Sequence, residues 1–128
     1  MTADLIARLE AAERGSAELD LAMWLAVGAV VEKRQSDRKA WLYYSAKSYP
    51  RDDPRFPSQQ RRLTRSLDAI AALTAEKLPG WDWHASTHRR KGVAAVNDGS
   101  NDWTWITAAT PALALCSALL RAMERIER

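Results

Sequence analysis

The sequence predicts an α+β domain in which a three-stranded antiparallel meander packs with about four helices in an α/β sandwich. Three observations predict it. Apolar residues recur at helical spacing before and after the middle of the chain, as in Leu5, Ile6 and Leu9 and again in Leu63, Leu67, Ile70 and Leu78. From Trp81 the period changes to two, with Trp81, Trp83 and Ala85 alternating with Asp82, His84 and Ser86. Three strands need a helix layer to be stable, and the apolar stripe between Pro111 and Glu127 supplies one. At 128 residues the chain is long enough for one core and too short for two, so residues 1–128 are read as a single domain.

A first helix is expected over 3–13, with Thr2 as cap and Gly15 as its end. Ser16 caps a second over 17–33, whose first turn carries Glu18 and Asp20 against the positive end of the helix dipole. This second helix is apolar on nearly every side up to Val31, the pattern of a helix covered from several directions, so it is expected to be the central one. The Trp41-Leu42-Tyr43-Tyr44 stretch fits either a helical extension or a short strand. Tyr49-Pro50, Asp53-Pro54 and Phe56-Pro57 then interrupt regular structure, and a long surface loop is expected around 48–60. A third helix over 65–77 follows, capped by Thr64 or Ser66 and stopped by Pro79-Gly80.

Strands are expected at 81–87, 92–97 and 102–107, the last two joined by the turn residues Asn97-Asp98-Gly99. Thr110 and Pro111, an N-cap and the residue favoured at the first helical position, open a final helix over 111–127. Leu113, Cys116, Leu119, Leu120 and Met123 form its apolar stripe, with Ser117, Arg121 and Glu124 expected in water. Trp81 with Trp83, and Trp103 with Trp105, are expected on the sheet face that meets the helices, where aromatic pairs add packing energy.

No constellation of residues spells out catalysis. Asp82, His84, Ser86 and His88 share one face of a strand, but the two histidines are about 13 Å apart, too far to ligate one ion at bonds of about 2 Å. A polar row beside an apolar row is what a half-buried strand shows, so no catalytic residue and no metal ligand is assigned. Cys116 lies in the apolar stripe, where a thiol keeps its proton. As the only cysteine it has no disulfide partner, which agrees with a reducing compartment. The five glycines are scattered and form no phosphate loop, and no cofactor is expected. The longest apolar run, Leu21 to Val31, is eleven residues against the roughly 20 that span a bilayer, and the first residues lack the order of a secretory signal. A cytoplasmic protein without membrane contact is the expectation.

Charge is unevenly distributed. Between Lys33 and Arg65 ten basic residues face three acidic ones, a net of +7, while the remainder of the chain carries −4. Such an excess bears on partners rather than on fold. Seven of the ten are arginines, which match carboxylate or phosphate with paired hydrogen bonds. This basic, aromatic insertion, about 33–62 with its close at Arg65, marks Arg38, Lys39, Trp41, Tyr44, Lys47, Arg51, Arg55, Arg61, Arg62 and Arg65 as partner-binding candidates.

Several strings carry a resemblance. Ser66-Leu67-Asp68-Ala69-Ile70-Ala71-Ala72-Leu73 leads into Leu78-Pro79-Gly80-Trp81-Asp82-Trp83, and Ala109-Thr110-Pro111-Ala112-Leu113-Ala114-Leu115-Cys116 opens the last helix. With Leu5-Ile6-Ala7-Arg8-Leu9-Glu10 and Gly15-Ser16-Ala17-Glu18-Leu19-Asp20 they resemble the small phage and prophage proteins of the phage ABA sandwich domain family. The resemblance implies an α/β sandwich and a phage origin, and it brings no catalytic residues. The basic segment is longer and more charged than the family implies, the natural place for a private function. The expected function is that of a non-enzymatic accessory protein that binds an acidic surface on a host macromolecule, a protein before a nucleic acid. Inhibitors of bacterial defence such as anti-CRISPR proteins are the concrete class. The alternative is a nucleic-acid-binding protein using the basic 33–65 segment.

Overall fold

The computed structural model describes residues 2–27, 30–34, 41–45, 62–100 and 103–127. Among these, four helices and five strands follow in the order α1 (Thr2–Ala11), α2 (Ala17–Ala26), β1 (Val30–Arg34), β2 (Trp41–Ser45), α3 (Leu67–Lys77), β3 (Asp82–His88), β4 (Lys91–Asn97), β5 (Ile106–Ala108) and α4 (Pro111–Glu127). The β3-β4-β5 sheet is the expected antiparallel meander, pairing His84 with Ala95 and Ala94 with Ile106. The expected loop at 48–60 lies outside the described residues.

The second helix is shorter than its apolar run suggests. Val27 closes α2 by donating its amide to the Met23 carbonyl at 3.1 Å. Val30–Arg34 then forms a strand paired antiparallel with Trp41–Ser45. Val30 and Val31 are β-branched and Trp41, Tyr43 and Tyr44 aromatic, side chains that suit a pleated ribbon better than a helix. The central helix is therefore α4. Residues 112–120 of α4 are all buried, because β3, β4 and β5 cover one side and α1 and α3 another. Ser117 is fully buried for this reason and donates to Glu10 Oε1 of α1 at 3.0 Å, while Arg121 grips both carboxylate oxygens of Glu10 at 2.8 and 3.1 Å.

Between sheet and α4 the core is built from small residues. Ala94, Val96, Ile106 and Ala108 are buried on the strands, and Ala114, Ala118 and Ala122 on the helix. Gly92 permits the closest approach: a Cβ there would lie 2.0 Å from the Thr110 carbonyl carbon and 2.2 Å from the Pro111 nitrogen. The start of α4 thus rests directly on β4, with Thr110 Oγ1 accepting from the Leu113 amide at 3.2 Å as N-cap. No described helix is long and apolar enough to cross a membrane.

Candidate functional site

Of the ten residues singled out for partner binding, Arg38, Lys39, Lys47, Arg51, Arg55 and Arg61 lie outside the described residues. Trp41 and Tyr44 belong to β2, in register with Arg34 and Val31. Arg62 is exposed. Arg65 has a structural duty: its Nε and an Nη donate to Asp20 Oδ2 at 2.9 and 2.8 Å.

Asp20 is the centre of a buried knot on α2. Its Oδ1 accepts from the Thr64 amide at 2.8 Å and from the Thr64 hydroxyl, which also lies 3.1 Å from the Ser16 carbonyl and accepts from the Ser16 amide. Gly15 makes room for this, because a Cβ there would lie 2.0 Å from the Thr64 carbonyl oxygen. Two interhelical segments distant in sequence are thereby tied together where the chain returns from the basic segment. Ser66 begins α3 immediately afterwards by accepting from the Ala69 amide.

The tryptophans expected in the core lie elsewhere. Trp24 is buried and Trp81 packs partly against the core, but Trp83, Trp103 and Trp105 are 40%, 37% and 52% exposed. Ile106 and Ala108 point inward on β5, so alternation turns Trp105 and Thr107 to the opposite face. That face carries His84 and Ser86 of β3 as well, since His84 pairs with Ala95 and Ser86 with Val93. The His84 ring meets the Trp105 ring edge-on at 5.2 Å, and Trp105 stacks with Trp103 at 6.1 Å and 21°. Ala95, next to His84 in the ladder, is fully buried. His84 Nε2 lies 3.3 Å from Ser86 Oγ.

At one end of this face the β3–β4 hairpin turns through Arg89 and Arg90, both in the left-handed region with φ of 50° and 67°. A two-residue loop with positive φ at both positions is the turn that matches strand twist, and Asn-Gly is the pair that normally fills it. Here two arginines do, flanked by His88 and Lys91, and all four residues are exposed. At the other end, Asn97 accepts from the Gly99 amide at 2.7 Å and Asp98 from the Ser100 amide at 3.0 Å. The Ser100 bonds hold the exposed Asp98 carboxyl below its ordinary range. Asn97 Nδ2 is buried and has no hydrogen-bond partner among the described residues.

A half-open cavity of about 220 Å³ lies between α4 and the strands, lined by Val96, Ile106, Ala118 and Ala122 with Arg121 and Arg125 at its rim. It falls short of the roughly 300 Å³ at which ligand pockets begin. Cys116 is fully buried, and burial, with a further push from the Asp20 carboxylate, raises its thiol well above the ordinary value. Among the described residues no three His, Cys, Asp or Glu side chains are placed to hold a metal ion.

Sequence reasoning missed the aromatic cluster of His84, Trp103 and Trp105. The signal was the parity of Ile106: once its side chain faces the helix, the two tryptophans at odd spacing from it face away. No family model, no curated protein and no solved structure matches this chain.

Proposed function

We propose that this chain is a non-enzymatic phage or prophage accessory protein, of the phage ABA sandwich type, that acts in the cytoplasm of a bacterial host by binding an acidic macromolecule. The observation that carries this reading is the excess of ten basic over three acidic residues between Lys33 and Arg65. Like charges held together on a small domain repel one another, and an acidic partner relieves that repulsion. A protein of the host's defence machinery is the favoured partner, which makes the chain an inhibitor of the anti-CRISPR kind. The arginines of this segment, with Trp41 among them in sequence, support a protein target, since arginine and tryptophan dominate binding energy at protein interfaces.

The test has two arms. In a host whose CRISPR system targets an infecting phage, expression of the chain is expected to restore plaque formation. Reversal of Arg38, Lys39, Arg61 and Arg62 to glutamate, with Arg65 kept for Asp20, is expected to abolish that protection without unfolding the chain. Full protection by the reversed variant would refute the role of the basic segment, and no protection by the wild type would refute the anti-CRISPR class. The nucleic-acid alternative rests on the aromatics interleaved with these arginines. It predicts affinity for duplex DNA that falls with salt at a slope near −0.9 for each phosphate neutralised.

A further inference from the structure

The face of the β3-β4-β5 sheet that carries His84 and Trp105 differs in chemistry from the basic segment. We propose that this face is a stacking platform for a short single-stranded stretch of nucleic acid, with Trp103 and Trp105 taking bases and Arg89, Arg90 and Lys91 taking phosphates.

Four observations carry the proposal. First, Trp105 is 52% and Trp103 37% exposed, a costly display of apolar ring surface in a domain whose core excludes both. Second, the rings are held in place before any ligand arrives: Trp105 stacks on Trp103 and is braced edge-on by His84. Prior ordering of this kind reduces the entropy lost on binding, and a base extends such a stack whatever its identity. Third, positive charge stands within reach of the rings along the strands. From His84 in the aromatic cluster to His88 at the tip is four residues of strand, about 13 Å, within reach of a few nucleotides of extended chain. The cations Arg89, Arg90 and Lys91 stand at that tip, while the acids Asp82 and Asp98 stand at the other end, on the far side of the rings from the tip. A backbone that runs from the rings along the strands to the tip leaves the acids behind and reaches positive charge about 13 Å on.

Fourth, the tip is built at a conformational cost. Both loop residues have positive φ, which arginine adopts unwillingly and Asn-Gly adopts readily. Two guanidinium groups in a position that favours other residues point to a use for the charge. The surroundings favour nucleic acid over protein: Ser86 and Thr107, on the same face by alternation, are small and hydroxylated. With Val93 between them they leave only short side chains beside the rings, so that a base can lie against the indoles.

The experiment is a titration of the full chain with short oligothymidylate and oligouridylate, followed by quenching of tryptophan fluorescence over a range of salt. Trp105→Ala is expected to weaken binding about tenfold, the scale of one lost base stack. The double variant Arg89→Asn, Arg90→Gly is expected to melt no lower than the wild type, since its loop suits the turn. It should nevertheless bind more weakly, with a salt slope shallower by about 1.4, or about 0.7 for each lost phosphate contact. A preference between the two oligonucleotides assigns DNA or RNA. Binding by Trp105→Ala or by the turn variant that matches wild type overturns the proposal, as does absence of binding to both oligonucleotides. A protein partner whose capture Trp105→Ala abolishes, with no oligonucleotide bound, gives the face to that protein instead. None of these failures touches the plaque assay, which is read on variants of a different segment.

Discussion

Replacing Asp20 with alanine should unfasten the turn at 63–65 from the start of α2. The carboxylate is 3% exposed and receives the Thr64 amide at 2.8 Å, the Thr64 hydroxyl, and two nitrogens of Arg65 at 2.9 and 2.8 Å. The buried Thr64 amide loses its acceptor, which costs roughly 1–3 kcal/mol. The Thr64 hydroxyl keeps the Ser16 carbonyl within 3.1 Å and loses less. Arg65 is 38% exposed at its side chain and returns partly to water, so its share is held to about 1 kcal/mol. The sum is about 3 kcal/mol, a large part of the roughly 5–15 kcal/mol that holds a domain folded. In thermal unfolding followed by circular dichroism this corresponds to a drop of roughly 12 °C.

The partner substitution separates pairing from packing. Arg65→Met leaves the Asp20 charge buried with no counterion and should cost roughly 3–5 kcal/mol. Because one interaction is broken in both, the double variant should be more stable than the sum of the two losses by about 1–3 kcal/mol in urea titrations. An Asp20→Ala chain within about 0.5 kcal/mol of wild type would show that the knot contributes no stability and would refute the reasoning.

Gly92→Ala should fail to fold or lose several kcal/mol, because the added Cβ meets the backbone of Thr110 and Pro111 at 2.0 and 2.2 Å and neither can rotate away. Near-wild-type melting would mean that α4 can lift from β4 at little cost. Leu119→Ala and Leu120→Ala remove side chains that are 0% and 1% exposed, and each should cost roughly 2–5 kcal/mol in urea. An unchanged midpoint for both would place that stripe outside the core. Cys116 should resist thiol reagents at alkaline pH until the chain unfolds, since burial holds its thiol protonated. The folded chain binds that proton more tightly than the unfolded one, so its contribution is intact below the ordinary thiol value of about 8.5 and declines as pH rises above it. Urea midpoints between neutral and alkaline pH check this, and a steeper alkaline loss in Cys116→Ala than in wild type would contradict it.

Much of the fold is legible because its signals are local. Ser16, Ser66 and Thr110 each accept an amide hydrogen bond at a helix start, and the four helices begin within two residues of their expected starts, whereas α2 ends at Ala26 rather than 33 and β5 begins at Ile106 rather than 102. The centre of the fold is not local. An apolar run marks α2 as a helix covered from all sides, yet Leu25 is 53% exposed and the run changes to strand at Val30. Meanwhile Ser117 reads as a water-facing position, and α1 buries it. Which helix lies in the middle depends on which elements cover it, and that is settled by packing between segments as far apart as Glu10 and Ser117.

The tryptophans show the same limit from the side of volume. Hydrophobicity places Trp103 and Trp105 in the core, but the space between sheet and α4 is set by Gly92 and Ala94 against the start of α4, with Ala118 and Ala122 further along. At Gly92 strand and helix approach too closely for an indole. The helix-facing side of the sheet is therefore smallest at Gly92 and Ala94, where α4 begins. Burial of Ile106 and Ala108 on β5 then leaves Trp105 no inward position, since its alternation is opposite to theirs. A large apolar side chain excluded by geometry from the core has either a cost without return or a surface to meet, and the brace of His84 on Trp105 argues for the second.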